Sequence, residues 1–307
     1  MEIAFLGTSC AVPTEKRGLP AILIEYLNKY YLFDCGEGTQ RQMRIAGINF
    51  MRIDNIFITH LHADHFLGLG GLIQSMDFLE RTRILNIYGP KGMKETMEHM
   101  LSMGTFKMDF LRLSVNEVKP GWVMEGERFK IFCVKTEHTS NSMAYIFEEN
   151  SKRKFLKEKA LSIGVPEGRL FSRLQRGESI NINGKEITPE MVLSDPIPGR
   201  KIVYTGDTKV CKEVEKAAKN ADILIHDSTF ADEEEEKTEI MGHSTARQAA
   251  MVAKRANVKK LYLTHISQRY TDSKLLEAEA REVFPESYVA EDFMRVKVLK
   301  HDINDII

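Results

Sequence analysis

The chain has 307 residues, of which 43% are hydrophobic and 28% are charged, and its formal net charge is -1. This composition excludes disordered and fibrous proteins, and the length allows one large domain or two ordinary ones. The four cysteines form no C-x-x-C pair, which argues against a zinc knuckle or a disulfide scaffold and indicates a reducing compartment. No apolar run approaches the ~18–20 residues that span a bilayer. The N-terminus has no signal-peptide pattern, so we expect a cytoplasmic protein without membrane contact.

In the first half of the chain, β-rich runs alternate with stretches of helical spacing. Strands are predicted at residues 3–6, 21–26, 30–34, 55–59 and 84–88. Helices are predicted at residues 38–45, 66–81 and 91–103. A later β-rich stretch, residues 129–136 and 143–147, is expected to close this half.

After about residue 200 the alternation resumes. Strands are predicted at residues 201–204, 223–225 and 261–264, and helices at residues 209–220, 244–256 and 274–283. The acidic run 232–236 is expected to be a solvated loop. Because strands alternate with helices at both ends, the chain is predicted to form an α/β layered domain built from two similar halves.

The segment between the halves, roughly residues 149–199, differs in composition. Its residues 151–185 contain nine basic and three acidic side chains, so this stretch carries +6 and the rest of the chain about -7. The basic residues are Lys152, Arg153, Lys154, Lys157, Lys159, Arg169, Arg173, Arg176 and Lys185. Composition leaves two interpretations open: a solvated surface, or an insertion that binds nucleic acid, since clustered Lys and Arg displace counterions from phosphates.

The strongest signal is the motif H-L-H-A-D-H at residues 60–65, directly after a predicted strand. Burying three histidines and an aspartate without partners is costly, so a metal site explains the motif better than a core does. At a strand end, His60 and His62 can share one ion, while Asp64 and His65 lie further round the turn and can reach a second. Imidazole and carboxylate donors suit zinc, and two ions in one site suit phosphoester hydrolysis.

Further ligands must come from elsewhere in the chain. His138, Asp207 and His265 each follow a predicted strand, and strand ends are where ligands gather in layered α/β folds. These three residues are therefore candidates to complete the coordination of two ions.

Together with these motifs, two longer segments of the chain resemble those of one known protein family. The segments are F-D-C-G-E-G-T-Q at residues 33–40 and H-I-S-Q-R-Y at residues 265–270. Over nearly its whole length the chain resembles the short form of the ribonuclease Z family, the tRNA 3′-processing endoribonucleases of the metallo-β-lactamase superfamily. The resemblance implies a single domain over residues 1–307 with a four-layered αββα sandwich. It also implies that residues 149–199 are an inserted, basic, flexible arm that grips tRNA.

The resemblance further implies two zinc ions per subunit. One would be held by His60, His62, His138 and Asp207, and the second by Asp64, His65, Asp207 and His265. In this pattern Asp207 bridges the ions, and Asp64 orients or deprotonates the water that attacks the phosphorus in line.

The leaving group needs a proton, and a second pair of residues is proposed to supply it. The motif H-D-S-T at 226–229 stands where the family reads H-E-A-T, and H-S-T at 243–245 matches a family loop. We therefore expect His243 to donate the proton or stabilise the leaving oxygen, oriented by Asp227. A carboxylate partner would keep this imidazole protonated near neutral pH.

The predicted function is removal of the 3′ trailer from precursor tRNA, leaving a 3′-hydroxyl on the tRNA and a 5′-phosphate on the trailer. The family resemblance also implies a homodimer in which one subunit's arm presents tRNA to the other's site.

The main alternative is a phosphodiesterase of the same fold acting on small or cyclic phosphodiesters, which would have no need of a basic insertion. A di-iron oxidoreductase is disfavoured by the imidazole of His62, and a catalytically silent RNA-binding protein by the intact set of seven ligands.

Overall fold

The computed structural model describes residues 1–301. The chain divides into two compact units, of which unit 1 comprises Met1–Glu148 and Lys201–Leu299. Unit 2 comprises Glu149–Arg200 and, among the described C-terminal residues, Lys300 and His301. No helix within residues 1–301 combines the length and the apolar character needed to cross a membrane.

The strands and helices follow one another along the chain with short connections. The strands are β1 (Glu2–Gly7), β2 (Ser9–Cys10), β3 (Ala21–Tyr26), β4 (Lys29–Phe33), β5 (Ile53–Phe57), β6 (Leu85–Gly89), β7 (Leu113–Glu117), β8 (Gly121–Glu125), β9 (Phe129–Lys135), β10 (Met143–Glu149), β11 (Ile180–Ile182), β12 (Lys185–Ile187), β13 (Lys201–Tyr204), β14 (Ile223–Asp227), β15 (Lys260–Thr264), β16 (Ile266–Ser267), β17 (Ser287–Val289) and β18 (Arg295–Lys297). The helices are α1 (Thr39–Ile45), α2 (Ala63–Phe66), α3 (Gly68–Phe78), α4 (Met93–Ser102), α5 (Lys157–Ser162), α6 (Arg169–Gln175), α7 (Lys212–Ala218), α8 (Glu235–Met241), α9 (Ala246–Arg255) and α10 (Lys274–Val283).

Unit 1 contains two seven-stranded sheets. The first has the order β18-β1-β3-β4-β5-β6-β7, and the second has the order β17-β15-β14-β13-β10-β9-β8. In the first sheet β4, β5, β6 and β7 are parallel, and in the second β13, β14, β15 and β17 are parallel. The parallel strands carry their carboxyl ends to one edge of each sheet, where the loops with the predicted ligands begin.

Three separate apolar clusters show that unit 1 has four layers. Successive residues of a strand point to opposite faces, and in β1 Ala4 and Leu6 join one cluster while Ile3 and Phe5 join another. The first cluster packs the first sheet against α1, α3 and α4, the second lies between the sheets, and the third packs the second sheet against α7, α9 and α10. The predicted αββα sandwich is therefore confirmed.

Two expectations about the elements were wrong. The β-rich stretch at residues 129–147 does not close the first half, because β10 pairs antiparallel with β13, with Tyr145 opposite Tyr204, and so belongs to the second sheet. This long-range pairing leaves no trace in a local pattern. The acidic run 232–236 is not a loop: it forms a 3-10 turn, Asp232–Glu234, and begins α8. Acidic side chains at a helix start stabilise it by interacting with the helix dipole.

Unit 2 has a small apolar core of its own. Helices α5 and α6 and the β11–β12 hairpin surround buried Ala160, Val165, Leu174, Ile180 and Ile187. The chain enters and leaves this unit at adjacent points, since Glu149 N donates to Arg200 O at 2.9 Å. The Arg200 guanidinium also pairs with the Glu149 carboxylate, at 2.7 Å between Nε and Oε2.

Candidate metal centre

The loop at residues 60–65 is shaped by a single helical turn that follows β5. His62 is extended and precedes α2, whose first turn carries Asp64 and His65 round to face back towards the strand end. Two backbone hydrogen bonds pin the loop to the end of β4, from Cys35 N to His65 O at 2.8 Å and from Gly68 N to Cys35 O at 2.9 Å. These bonds hold the loop against the end of β4.

The other three predicted ligands come from loops of the second sheet. His138 follows β9, Asp207 follows β13, and His265 follows β15 directly. Gly206 has a φ of 59°, and a Cβ at this position would lie 2.7 Å from the Cβ of Thr59. Only glycine allows the Asp207 loop to approach the H-L-H-A-D-H loop this closely.

One group of donor atoms comprises His60, His62, His138 and Asp207, whose candidate ligand atoms all lie within 4.8 Å of one another. His138 Nε2 is 2.9 Å from His62 Nδ1, and Asp207 Oδ2 is 3.5 Å from His60 Nε2. The four predicted ligands of the first ion therefore converge.

The second group comprises Asp64, His65 and His265, again with candidate ligand atoms within 4.8 Å. Asp207 contacts this group as well: its Oδ1 lies 3.2 Å from His65 Nε2, and its Oδ2 lies 3.3 Å from His265 Nε2. Among the carboxylates of residues 1–301, Asp207 alone contacts histidines of both groups, as a bridging ligand would.

Unpaired buried atoms indicate that this cluster fits metal ions. Among the described residues, six buried side-chain nitrogen or oxygen atoms have no hydrogen-bond partner. Four of them belong to the centre: His60 Nε2, His65 Nε2, His265 Nε2 and Asp207 Oδ1. A buried polar atom without a partner destabilises the folded protein, so a cation bound by these atoms would remove that cost. Imidazole and carboxylate donors in this arrangement suit zinc.

Every predicted ligand histidine except the exposed His62 has a partner at its other ring nitrogen, which is typical of metal ligands. The Nδ1 atoms are 3.1 Å from Thr59 Oγ1 for His60, 2.7 Å from Asp34 Oδ2 for His65, 2.8 Å from Gly242 O for His138 and 2.8 Å from Thr229 Oγ1 for His265. These contacts leave the Nε2 atoms to point into the centre.

The protonation of the cluster follows from its mutual contacts. Burial opposes charge on His65, but the carboxylates of Asp207 and Asp34 outweigh it and raise the pKa of His65 to about 10. Burial and the neighbouring His65 hold the pKa of His60 well below its usual value. Although burial raises it, the surrounding histidines, His265 first, bring the pKa of Asp207 well below its usual range. A cation would replace the proton on His65 and bind an ionised Asp207.

His243 and Asp227 lie beside the metal ligands. His243 Nδ1 is 2.8 Å from Asp227 Oδ2, and its ring centroid is 4.8 Å from that of His138 and 5.1 Å from that of His265. Burial disfavours a charged His243, but the Asp227 carboxylate outweighs this and raises the pKa of the imidazole. The structure thus contains the expected pairing, and the catalytic role stays a prediction.

Two residues near the centre were given no role by the sequence. Asp34 follows β4 and holds His65; its signal was the same as that of the ligands, a polar residue at a strand end. Cys35, Cys133 and Cys211 are buried, whereas Cys10, the second of the two residues near the centre, is half-buried. Its sulfur lies within 4.8 Å of ring nitrogens of His243 and His265.

Two family models match the chain: "Anti-Pycsar protein Apyc1" over residues 1–157 and "Beta-lactamase superfamily domain" over residues 183–266. Curated relatives match it over almost their full length. Ribonuclease Z from Methanothermobacter thermautotrophicus is 46% identical over 98% of both chains, and ribonuclease Z from Archaeoglobus fulgidus is 47% identical over 97% of both.

Solved structures agree with these relatives. The short form of human tRNase Z has a TM-score of 0.72 at 28% identity and covers 97% of this chain and 100% of its own. The metallo-β-lactamase fold protein YhfI from Bacillus subtilis has a TM-score of 0.70, covers 96% of this chain and 98% of its own, and at 19% identity bears on the fold alone. With two sheets, a His/Asp centre at their edge and relatives of this identity, the chain belongs to the ribonuclease Z family, endoribonucleases with the metallo-β-lactamase fold.

Proposed function

We propose that this protein is a zinc-dependent endoribonuclease that acts in the cytoplasm and removes the 3′ trailer from precursor tRNA. Cleavage would leave a 3′-hydroxyl on the tRNA and a 5′-phosphate on the trailer. The observation that carries the proposal is the convergence of seven candidate ligand residues, of which His60, His65 and His265 each have a buried Nε2 without a hydrogen-bond partner. A related solved structure is named a tRNase Z, which supports tRNA as the substrate.

Two zinc ions per subunit fit the donor atoms. His60, His62 and His138 would hold one, Asp64, His65 and His265 the other, and Asp207 would bind both. When bound, the ions would lower the pKa of a water molecule and neutralise charge that grows on the phosphate oxygens.

Asp64 would orient the attacking water. Its Oδ2 accepts a hydrogen bond from Ala11 N at 3.0 Å and lies 3.5 Å from His265 Nε2. This leaves Oδ1 to accept a proton from the water. The neighbouring histidines hold the pKa of Asp64 below its usual value despite burial, so the carboxylate is ionised and available.

His243 would protonate the 3′ oxygen of the tRNA as it leaves. Its Nδ1 is occupied by Asp227, so Nε2 is the atom that donates. Asp227 is itself held by Thr208 N and Thr229 N, both at 3.0 Å, and so fixes the orientation of the imidazole. A general acid of this kind contributes about 10²–10⁴-fold to the rate.

Unit 2 would be the arm that binds the tRNA backbone. Several of its cations are already paired with carboxylates, as Lys157 is with Glu167 at 2.8 Å and Arg173 with Glu178 at 2.9 Å. Five others have no carboxylate within 4.0 Å among the described residues, and these are Lys152, Lys154, Lys159, Arg169 and Lys185. All five are exposed, so their side chains can contact phosphates of the tRNA backbone. Such contacts recognise the shape of the RNA and not its base sequence.

A homodimer is proposed with the α1–α3 face as its interface. Phe78 is 87% exposed and, with Leu79, lines a cleft of about 660 Å³. The same cleft carries Arg44, Lys107 and Asp109, so both signs of charge lie beside exposed apolar surface. Such a face can be complementary to itself across a two-fold axis, which suits a second copy of this chain.

The test is incubation with a precursor tRNA that carries a 3′ trailer, followed by mapping of the cut. We expect cleavage at the tRNA 3′ end, loss of cleavage with a chelator and recovery with zinc. A precursor that stays intact under zinc-replete conditions would overturn the proposal.

Excision of the arm separates the proposal from the alternative, a phosphodiesterase for small or cyclic substrates. Because Glu149 and Arg200 are hydrogen bonded, a short turn can join them in place of the residues between. The protein without the arm should no longer cleave precursor tRNA but should still hydrolyse a small phosphodiester such as bis(p-nitrophenyl) phosphate. Equal loss of both activities would count against a separate binding arm.

A further inference from the structure

The carboxylate of Asp34 is fully buried and bound by donors from three residues. Its Oδ1 accepts hydrogen bonds from Thr59 N at 2.8 Å and Thr59 Oγ1 at 3.0 Å. Its Oδ2 lies 2.7 Å from His65 Nδ1 and accepts a hydrogen bond from Tyr204 Oη, also at 2.7 Å. The tyrosine hydroxyl and the ligand histidine thus share a single oxygen atom.

The Tyr204–Asp34 hydrogen bond joins the two sheets beside the metal centre. Asp34 directly follows β4 of the first sheet, and Tyr204 is the last residue of β13 in the second. Asp207, which contacts both groups of histidines, lies only three residues beyond Tyr204. The bond therefore links the strand end that leads to Asp207 with the carboxylate that holds His65.

Tyr204 is a buried hydroxyl donor to the Asp34 carboxylate. Its side chain is buried, with 3% of its surface exposed, and burial together with the Asp34 carboxylate raises its pKa well above the usual value. It can only donate to Asp34, and Asp34 has no other hydroxyl donor from the second sheet among the described residues.

We propose that Tyr204 is a positioning residue for the second metal group: its hydroxyl fixes the Asp34 carboxylate, which in turn aims His65 Nε2 at the metal. This inference rests on the proposed function in one respect only, that zinc binds at Asp64, His65, Asp207 and His265. Without the hydroxyl, Oδ2 keeps His65 and Thr59 Oγ1, which also donates to it at 2.9 Å, and loses its link to the second sheet. The ring of His65 is then less firmly oriented, and with it the Nε2 atom that faces the metal.

Tyr145 is a matched control for a buried tyrosine that bridges the sheets. It lies on β10 of the second sheet, is 1% exposed, and donates to the carbonyl oxygen of Ile58 at 3.0 Å. Replacing either tyrosine with phenylalanine removes one buried hydroxyl and changes no ring packing. Only Tyr204 touches a residue that holds a ligand histidine.

The experiment measures zinc affinity by competition with a chromophoric chelator, which resolves a first and a second zinc per chain. Y204F should weaken the second zinc about tenfold, the low end of the effect for residues that support a ligand, and leave the first unchanged. Y145F should leave both unchanged. In NMR spectra of the zinc-loaded protein, the Nδ1–H signal of His65 should shift in Y204F and stay in place in Y145F.

A double-mutant cycle shows whether Tyr204 acts through Asp34. D34N should weaken the second zinc by itself, and Y204F should add nothing in the D34N background, because the carboxylate it positions is gone. Additive losses would overturn the proposal, as would equal second-zinc affinity in Y204F and the unmodified protein. If the unmodified protein binds no second zinc, it is the proposed metal centre that fails.

Discussion

His243 Nδ1 lies 2.8 Å from Asp227 Oδ2. The H-E-A-T motif of the family has a glutamate at the position of Asp227, so the contact is made here by a side chain that is one methylene shorter. The shorter side chain reaches because Asp227 is the last residue of β14, at the same sheet edge as the ligand loops. Its two oxygens are held by backbone amides of Thr208 and Thr229, so the carboxylate cannot turn away from the imidazole.

Replacing His243 with alanine tests the proton donor. H243A should lower kcat for precursor tRNA by about 10²–10⁴-fold with little change in KM, because the imidazole acts on the leaving oxygen and not in binding. In a precursor whose bridging 3′ oxygen at the cleaved bond is replaced by sulfur, the leaving group is a thiolate. A thiolate is a much weaker base than an alkoxide and leaves without a proton. H243A should therefore cleave this substrate as fast as the unmodified protein does. Equal slowing on both substrates would contradict the assignment.

The metal assignments predict distinct zinc contents. D207A removes the carboxylate that contacts both groups and should lose both zinc ions on dialysis, whereas H138A should lose one. Elemental analysis after dialysis gives the ratio of zinc to protein. H99A is the control, since His99 is exposed on α4 and should retain both ions. Two zinc ions in dialysed D207A would show that Asp207 is not shared.

The free cations of the arm should govern tRNA binding. The triple variant K154A/K159A/R169A should raise KM for precursor tRNA and reduce the salt dependence of binding by about one unit of slope for each phosphate that is no longer neutralised. Its rate on a small phosphodiester should not change. The control K29A/K130A/K254A removes the same charge from exposed positions of unit 1. If both triple variants behave alike, net charge and not the arm explains the binding.

Exposed Phe78 should decide the oligomeric state. F78E places a charge in the cleft at the end of α3 and should convert a dimer into a monomer, as measured by sedimentation equilibrium. W122E is the matched control, because Trp122 is also exposed, at 61%, but lies on β8 of the second sheet. Monomers of the unmodified protein, or dimers of F78E, would exclude this interface.

Asp77 should contribute to stability in a pH-dependent way. Backbone N–H groups of Leu111, Phe110 and Asp109 donate to its carboxylate and hold its pKa below the usual value. A lowered pKa in the folded state stabilises the protein above the unfolded-state value of about 3.9, and this contribution is lost as the pH falls through the folded-state value. D77A should cost about 1–3 kcal/mol of unfolding free energy at pH 7, since three amides lose their acceptor.

Urea unfolding at neutral and acidic pH, at one protein concentration, measures this contribution. D77N is the matched variant, because its side-chain oxygen still accepts from Phe110 and Leu111 while the charge is gone. The stability difference between the unmodified protein and D77N should shrink as the pH falls below about 4. A difference that does not change with pH would show that the charge of Asp77 contributes nothing.

By itself, the sequence was enough to predict the layered α/β class and the residues of the candidate centre. Strand and helix periodicity located β3, β13 and α10 to within a residue at each end, and the motif at residues 60–65 has too many metal-binding side chains close together for a core. Both signals are local: side-chain alternation and ligand spacing are properties of a few consecutive residues.

Only the tertiary structure showed which parts of the chain meet. Residues 143–149 join the second sheet because β10 pairs with β13, and Tyr204 and Asp34, 170 positions apart, share a hydrogen bond beside His65. Such contacts depend on the packing of two sheets about a common core, and no local pattern encodes a partner that distant. The sequence therefore named the candidate ligand residues, and the packing of the sheets determined what holds them in place.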